Sequence, residues 1–186
     1  MGCYLCGGKG VIRQQKGREI CAKCFCRLIE KRIRKYSRIN KCFSNKDRIL
    51  VIGDLSRYFV ENIVGKRPVK LFFRAKEDES FIKKNKINKI APNQTLDDEV
   101  NSFLEDVFNK KKRKIEKKHI SLLANITDKE AKLFAKLRKI KFKPNKKNKD
   151  IMKLLKELTK KHTHAKFSLM KNIRNLGKLA QSSSVK

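Results

Sequence analysis

Two periodicities organise the apolar positions of this chain. Ile49 to Ile52 is an unbroken apolar run, mostly β-branched, that stops at Gly53-Asp54. Leu55, Tyr58, Phe59, Ile63 and Val64 follow at helical spacing. A buried strand, a tight turn and a helix are predicted there. A second strand is predicted over Val69 to Phe73, after the Gly65-Lys66-Arg67-Pro68 turn. Strand, helix and strand in that order imply a parallel crossover. Glu77 to Asn88 reads as a charged connection, Ile87 to Ala91 as a third strand and His119 to Leu123 as a further one.

The helical stretches carry their own punctuation. Phe25 to Ile39 places Phe25, Leu28, Ile29, Ile33 and Tyr36 on one face. Thr95 is a natural N-cap for Leu96 to Phe108, and Asp97, Asp98 and Glu99 fall in the first turn, where the helix dipole favours them. Val100, Phe103, Leu104 and Val107 would form its buried face. Thr127 caps a helix from Asp128 to about Ile140, with Leu133, Phe134 and Leu137 inward. Ile151 to Lys160 and Lys166 to Leu179 are also helical, while Gln181 to Lys186 reads as a disordered polar tail. The expected divisions are a cysteine module over 1–26, a basic linker helix over 27–47, an α/β domain over 48–180 and the tail over 181–186. The fold class is α/β, with a reduced Rossmann-like parallel sheet.

Cysteine changes the picture at the start of the chain. Cys3-x-x-Cys6 and Cys21-x-x-Cys24 are two knuckles at zinc-site spacing. Each turn aims two thiolates at one point, and Gly7-Gly8 lets backbone N–H groups turn toward the sulfurs. Val11 to Ile20 would form a hairpin turning near Lys16-Gly17, with too few apolar residues to fold unaided. Four thiolates leave no open position, so the expectation is a structural Zn2+ ion. A disulfide pair and an iron–sulfur centre are the alternative uses of such thiols. Cys26 and Cys42 are left over and read as small buried residues, Cys26 with a spare-ligand alternative. His162 and His164 stand two apart and would not share a helix face.

Charge narrows the partners. The 186 residues hold 50 Lys+Arg against 18 Asp+Glu, a net charge of +32. Such an excess favours polyanions, nucleic acid first. Abundant Lys, Ile and Asn are also what an AT-rich coding sequence gives, which supplies part of the excess. The polar face of the first helix holds Arg27, Lys31, Arg32, Arg34, Lys35 and Arg38, a candidate backbone-contacting stripe with Tyr36 placed to stack on a base. Lys110, Lys111, Lys112, Arg113 and Lys114 form a second basic edge. The opening MGCYLCGGKG is no signal peptide, and no apolar run is long enough to span a bilayer. These features predict a cytoplasmic chain with no membrane partner. Gly53, Asp54 and Ser56 stand where a doubly wound domain would meet a nucleotide. One glycine, and an acidic residue facing the phosphates, argue against one binding.

Several stretches, taken in order, resemble the tRNA 2-thiolation group of PP-loop ATPases, the TtuA-like and cytosolic thiouridylase proteins. The Cys3-Cys6 and Cys21-Cys24 knuckles with Phe25 and a basic helix look like that family's N-terminal zinc module and linker. Asp47 to Val51 sits where members have the strand leading into the PP-loop. Ala91-Pro92-Asn93-Gln94-Thr95-Leu96-Asp97-Asp98-Glu99-Val100 is similar to a stretch ending in Leu-Asp-Asp-Glu-Ala. His119 to Phe142 and Thr163 to Met170, with its Lys166-Phe167-Ser168-Leu169, match two later segments. Members carry a Ser-Gly-Gly-x-Asp-Ser loop for ATP pyrophosphate, where this chain has Ile52-Gly53-Asp54-Leu55-Ser56. Members also carry two catalytic cysteines in the domain core, and here no cysteine follows Cys42. The resemblance therefore implies a degenerate PP-loop domain without ATP or an iron–sulfur cluster. It would be a non-catalytic pseudo-enzyme like the second subunit of the cytoplasmic thiouridylase. Such a subunit would pair with a catalytic paralogue in a heterodimer and help hold tRNA, with wobble uridine 34 as target. A stand-alone zinc-containing RNA- or DNA-binding protein and an active thiolase are the competing readings.

Overall fold

The computed structural model describes residues 2–13, 17–65, 67–111 and 118–182. A small hairpin, β1 (Ile12–Arg13) with β2 (Glu19–Ile20), leads into α1 (Ala22–Ile39). Then come β3 (Arg48–Ile52), α2 (Asp54–Val64), β4 (Lys70–Arg74), α3 (Glu79–Lys84) and β5 (Lys89–Ala91). Four helices complete the chain: α4 (Leu96–Phe108), α5 (Asp128–Arg138), α6 (Lys149–Lys161) and α7 (Ala165–Ser182).

β3 is the centre of a parallel sheet ordered β4-β3-β5. Its apolar run is continuous because both faces are covered. Ile49 and Val51 face a large core with Leu55, Phe59 and Val60 of α2, Ile29 and Ile33 of α1, and Phe134 of α5. Leu50 and Ile52 face a smaller cluster with Ile82, Ile87, Ile90, Phe72 and Phe81. A third cluster joins Leu96 and Val100 of α4 to Ile151 and Leu155 of α6 and Met170 and Ile173 of α7. The large core is continuous with the cysteine module, since Cys3, Ile20, Cys24 and Phe25 belong to it.

The structure differs from the sequence expectations at several elements. The charged connection folds into α3, because Asp78 accepts hydrogen bonds from the Ser80 and Phe81 amides and so caps a short helix. The further strand at His119–Leu123 is reduced to isolated parallel bridges, Ile90 with His119 and Thr95 with Leu123. Lys139 takes a left-handed conformation that ends α5 before Ile140. Val107 and Leu137, expected inward, are 51% and 36% exposed. Both lie in the last turn of their helix, and periodicity fixes a face without fixing how far the neighbouring element extends along it. The helix expected to end at Leu179 runs on to Ser182, into the stretch expected as tail. No helix among the described residues is long and apolar enough to cross a membrane.

Candidate metal centre and basic surfaces

The chain around the first knuckle folds back on itself. The Cys3 carbonyl accepts from the amides of Cys6 at 3.3 Å and Gly7 at 2.8 Å, and the Cys3 amide donates to the Gly8 carbonyl at 2.5 Å. Gly7 reaches φ 73°, a conformation that favours glycine. The second knuckle is the start of α1: Cys21 is its N-cap, and its sulfur accepts from the Cys24 amide at 3.4 Å. These turns bring the ligand atoms of Cys3, Cys6, Cys21 and Cys24 within 4.8 Å of one another. Cys3 and Cys24 are buried, Cys21 is half-buried and Cys6 is exposed.

The donor set fits a metal. A single tetrahedral ion with bonds of about 2.3 Å holds its sulfurs about 3.8 Å apart, and Cys6 and Cys21 stand 3.7 Å apart. Hydrogen bonding from the Cys21 backbone, ahead of smaller contributions, brings the Cys3 thiol down to about 6. Hydrogen bonding with Cys6 and then Cys21, with burial, pushes Cys24 up to about 12. Four crowded thiols cannot all ionise without a cation to replace their protons. All six cysteines are free. Cys26 and Cys42 are buried outside this set, and burial pushes both thiols up. No other group of three or more metal-type side chains occurs among the described residues.

The turn after β3 lies at a topological switch, since β4 and β5 flank β3 on opposite sides. Gly53, the N-cap of α2, has φ 85° and ψ 149°. A Cβ there would come within 2.7 Å of the Asn93 Cβ. Gly53, Asp54 and Asn93 open onto a cleft of about 900 Å3 that also takes in Arg57, Arg74, Lys141 and Lys143. Ser56 does not reach it; its hydroxyl is buried and donates to the Pro92 carbonyl at 2.9 Å. Of the charges around this cleft, the sequence pointed to Asp54 alone. The cations come from α2, β4 and the loop after α5, so they adjoin only once the chain is folded.

On α1, Arg27, Lys31, Arg34, Lys35 and Arg38 are exposed. Arg32 is not part of that surface. Its guanidinium pairs with Glu130 at 2.5 Å and donates to the Asn125 carbonyl, tying α1 to the start of α5. Tyr36, expected to stack on a base, is covered by the Arg174 guanidinium at 4.4 Å. Lys110 and Lys111 are exposed just past α4, where cations also complement a helix C-terminus. Lys112, Arg113 and Lys114 lie outside the described residues.

The acidic start of α4 is buried machinery. Asp97 accepts from the Asp128 amide at 2.7 Å and from Lys166 Nζ at 2.5 Å. Asp98 closes a capping box with Thr95 and pairs with Lys147 at 2.6 Å. Burial lowers the Lys147 pKa, but the Asp128 and Asp98 carboxylates outweigh it and the net shift is upward. Stretches far apart in the sequence thus meet at one point: the Asp97-Asp98 run, the start of α5 and Lys166.

No known family's sequence profile matches this chain, and no curated protein matches it in sequence. Its shape does match. A U34-tRNA thiolase, NcsA from Methanococcus maripaludis with its [4Fe-4S] cluster, superposes with a TM-score of 0.70 at 16% identity. The match covers 95% of this chain and 87% of that one. The chain has the fold of that thiolase. Two expectations are corrected by the same finding. The resemblance implies a non-catalytic pseudo-enzyme, whereas the structural neighbour is an enzyme, a tRNA thiolase. An iron–sulfur cluster was excluded along with ATP; the neighbour holds a cluster, and the group Cys3, Cys6, Cys21 and Cys24 could hold one. Both exclusions rested on missing motifs, whereas four thiolates are a sufficient donor set for zinc and for a cluster alike.

Proposed function

We propose that this protein acts in tRNA 2-thiolation, as a tRNA-binding component of the machinery that makes 2-thiouridine at wobble position 34. The observation that carries the reading is the fold shared with a U34-tRNA thiolase over nearly the whole of both chains. The exposed cations of α1 support it, because they would hold an RNA backbone in position without reading its sequence. Arg27, Lys31, Arg34, Lys35 and Arg38 take that role, with the edge at Lys110 and Lys111 as a second contact. The four-cysteine site holds a thiolate-bound metal centre beside this surface. A PP-loop paralogue in the same complex is the protein partner, and the complex works in the cytoplasm.

The test is the 2-thiouridine content of bulk tRNA, by mass spectrometry, from cells with and without the gene. Loss of the thiolated wobble nucleoside on deletion, restored by the intact gene, is the expected result. Unchanged thiolation sinks the reading and leaves an independent nucleic-acid binder in its place.

A further inference from the structure

At the far end of α1 from the cysteine module, cations gather in a concavity that the sequence did not announce. A pocket of about 460 Å3 opens between the C-terminal ends of α1 and α2. Arg34 and Arg38 reach it from α1, Lys41 from the turn that follows, and Arg67 from the turn after α2. Both turns are fixed by the backbone. Lys41 sits at φ 46° with its amide on the Arg38 carbonyl at 3.3 Å, and the Arg67 amide donates to the Val64 carbonyl at 3.2 Å. Ser44 and Asn62 add polar groups, and Phe43 is a buried apolar part of the wall.

These cations are treated differently from many others in the molecule. Arg32, Arg57, Lys89, Arg138, Lys147 and Lys166 each have a carboxylate partner. Among the described residues, no carboxylate pairs with Arg34, Arg38, Lys41 or Arg67, and none lines the pocket. The ordinary explanation is that cations at a helix C-terminus complement its dipole. Two helix ends supply only about one negative charge together, which leaves most of four cations uncompensated. Like charges collected in a concave, partly apolar wall repel one another unless an anion joins them.

The pocket is also the end of a line. Arg27, Lys31, Arg34 and Arg38 lie at i, i+4, i+7 and i+11, one stripe spanning about 16 Å of helix. We infer that this pocket is a phosphate site which anchors one backbone phosphate of the bound tRNA at the end of the α1 stripe. Its ligand class rests on the tRNA-binding reading above. Its existence as an anion site rests on the unpaired cations.

The experiment compares R38E/R67E with K153E/K156E on the exposed face of α6. The two doubles change the net charge equally, and both are first checked for native thermal melting. Affinity for bulk tRNA is measured by filter binding over a range of salt. The pocket double is expected to bind at least about 10-fold more weakly and to lower the slope of log K against log salt by about one, as loss of one phosphate contact requires. The α6 double should lose less than about threefold. Equal losses in the two doubles overturn the pocket. Should R38E/R67E fail to fold, R38Q/R67Q serves with the same criterion, a loss clearly larger than that of K153Q/K156Q. Inorganic phosphate and vesicles of phosphatidylserine are run as separate ligands. Pocket-dependent binding of either with unchanged tRNA affinity overturns the assignment to RNA. Cellular 2-thiouridine separates this inference from the functional reading. Normal thiolation without the gene, together with pocket-dependent RNA binding, removes only the thiolation role. Lost thiolation together with pocket-independent binding removes only the pocket.

Discussion

Gly53 shows what one residue can carry. The lone glycine counts in the sequence against a phosphate loop. In the fold it has a steric reason of its own, because its positive φ coincides with Asn93 packed against the bare Cα. Gly53→Ala therefore meets a clash as well as backbone strain and should cost about 2–3 kcal/mol in denaturant unfolding. Gly17 provides the comparison, with φ 73° and nothing among the described residues within 4 Å of an added Cβ. Gly17→Ala should cost only about 1 kcal/mol. Equal costs for the two variants would mean that Asn93 yields and the close packing is not needed. Arg32 makes a related point. It belongs to a run of cations in the sequence, yet it is spent inside the molecule on Glu130 and Asn125.

At the scale of the element, α1 does three jobs at once. Its first turn carries Cys24, its apolar face puts Phe25, Ile29 and Ile33 into the main core, and its exposed face carries the cationic stripe. The metal site and the core thus share a helix end. Stripping the metal with a chelator should do more than loosen the hairpin. It should lower the melting temperature by about 5–10 °C, the equivalent of about 2–3 kcal/mol at this size. Cys24→Ser should reproduce that shift. Metal analysis with a visible absorption spectrum then reads the occupant as zinc or as an iron–sulfur cluster. A purified protein free of both, with an unshifted melt in chelator, would remove the metal site.

Over the whole molecule the balance of charge dominates. With +32 on 186 residues, self-repulsion works against the compact state. The buried pairs of Lys147 with Asp98 and Asp128 and of Lys166 with Asp97 are screened much less than the surface. Raising sodium chloride from about 50 to about 300 mM should therefore raise the melting temperature, since screening relieves surface repulsion first. A fall over that range would show that internal ion pairs outweigh the repulsion.

The sequence by itself determined most of the elements and the candidate metal donors. An unbroken apolar run located β3, period-3.6 patterns located α2 and α1, Thr95 and Thr127 marked the starts of α4 and α5, and the two Cys-x-x-Cys knuckles named the cluster that the fold assembles. Each of these signals is local, written within a few residues of where it acts. It also showed an excess of positive charge without showing where that charge is neutralised. Only the tertiary structure decided that Arg32 is paired, that Tyr36 is covered by Arg174, and that Arg34, Arg38, Lys41 and Arg67 meet in one pocket that no described carboxylate lines. It likewise decided that Arg57, Arg74, Lys141 and Lys143 share a cleft. Pairing energy depends on distance in space, and residues brought together by α-helix packing and parallel crossovers are far apart along the chain.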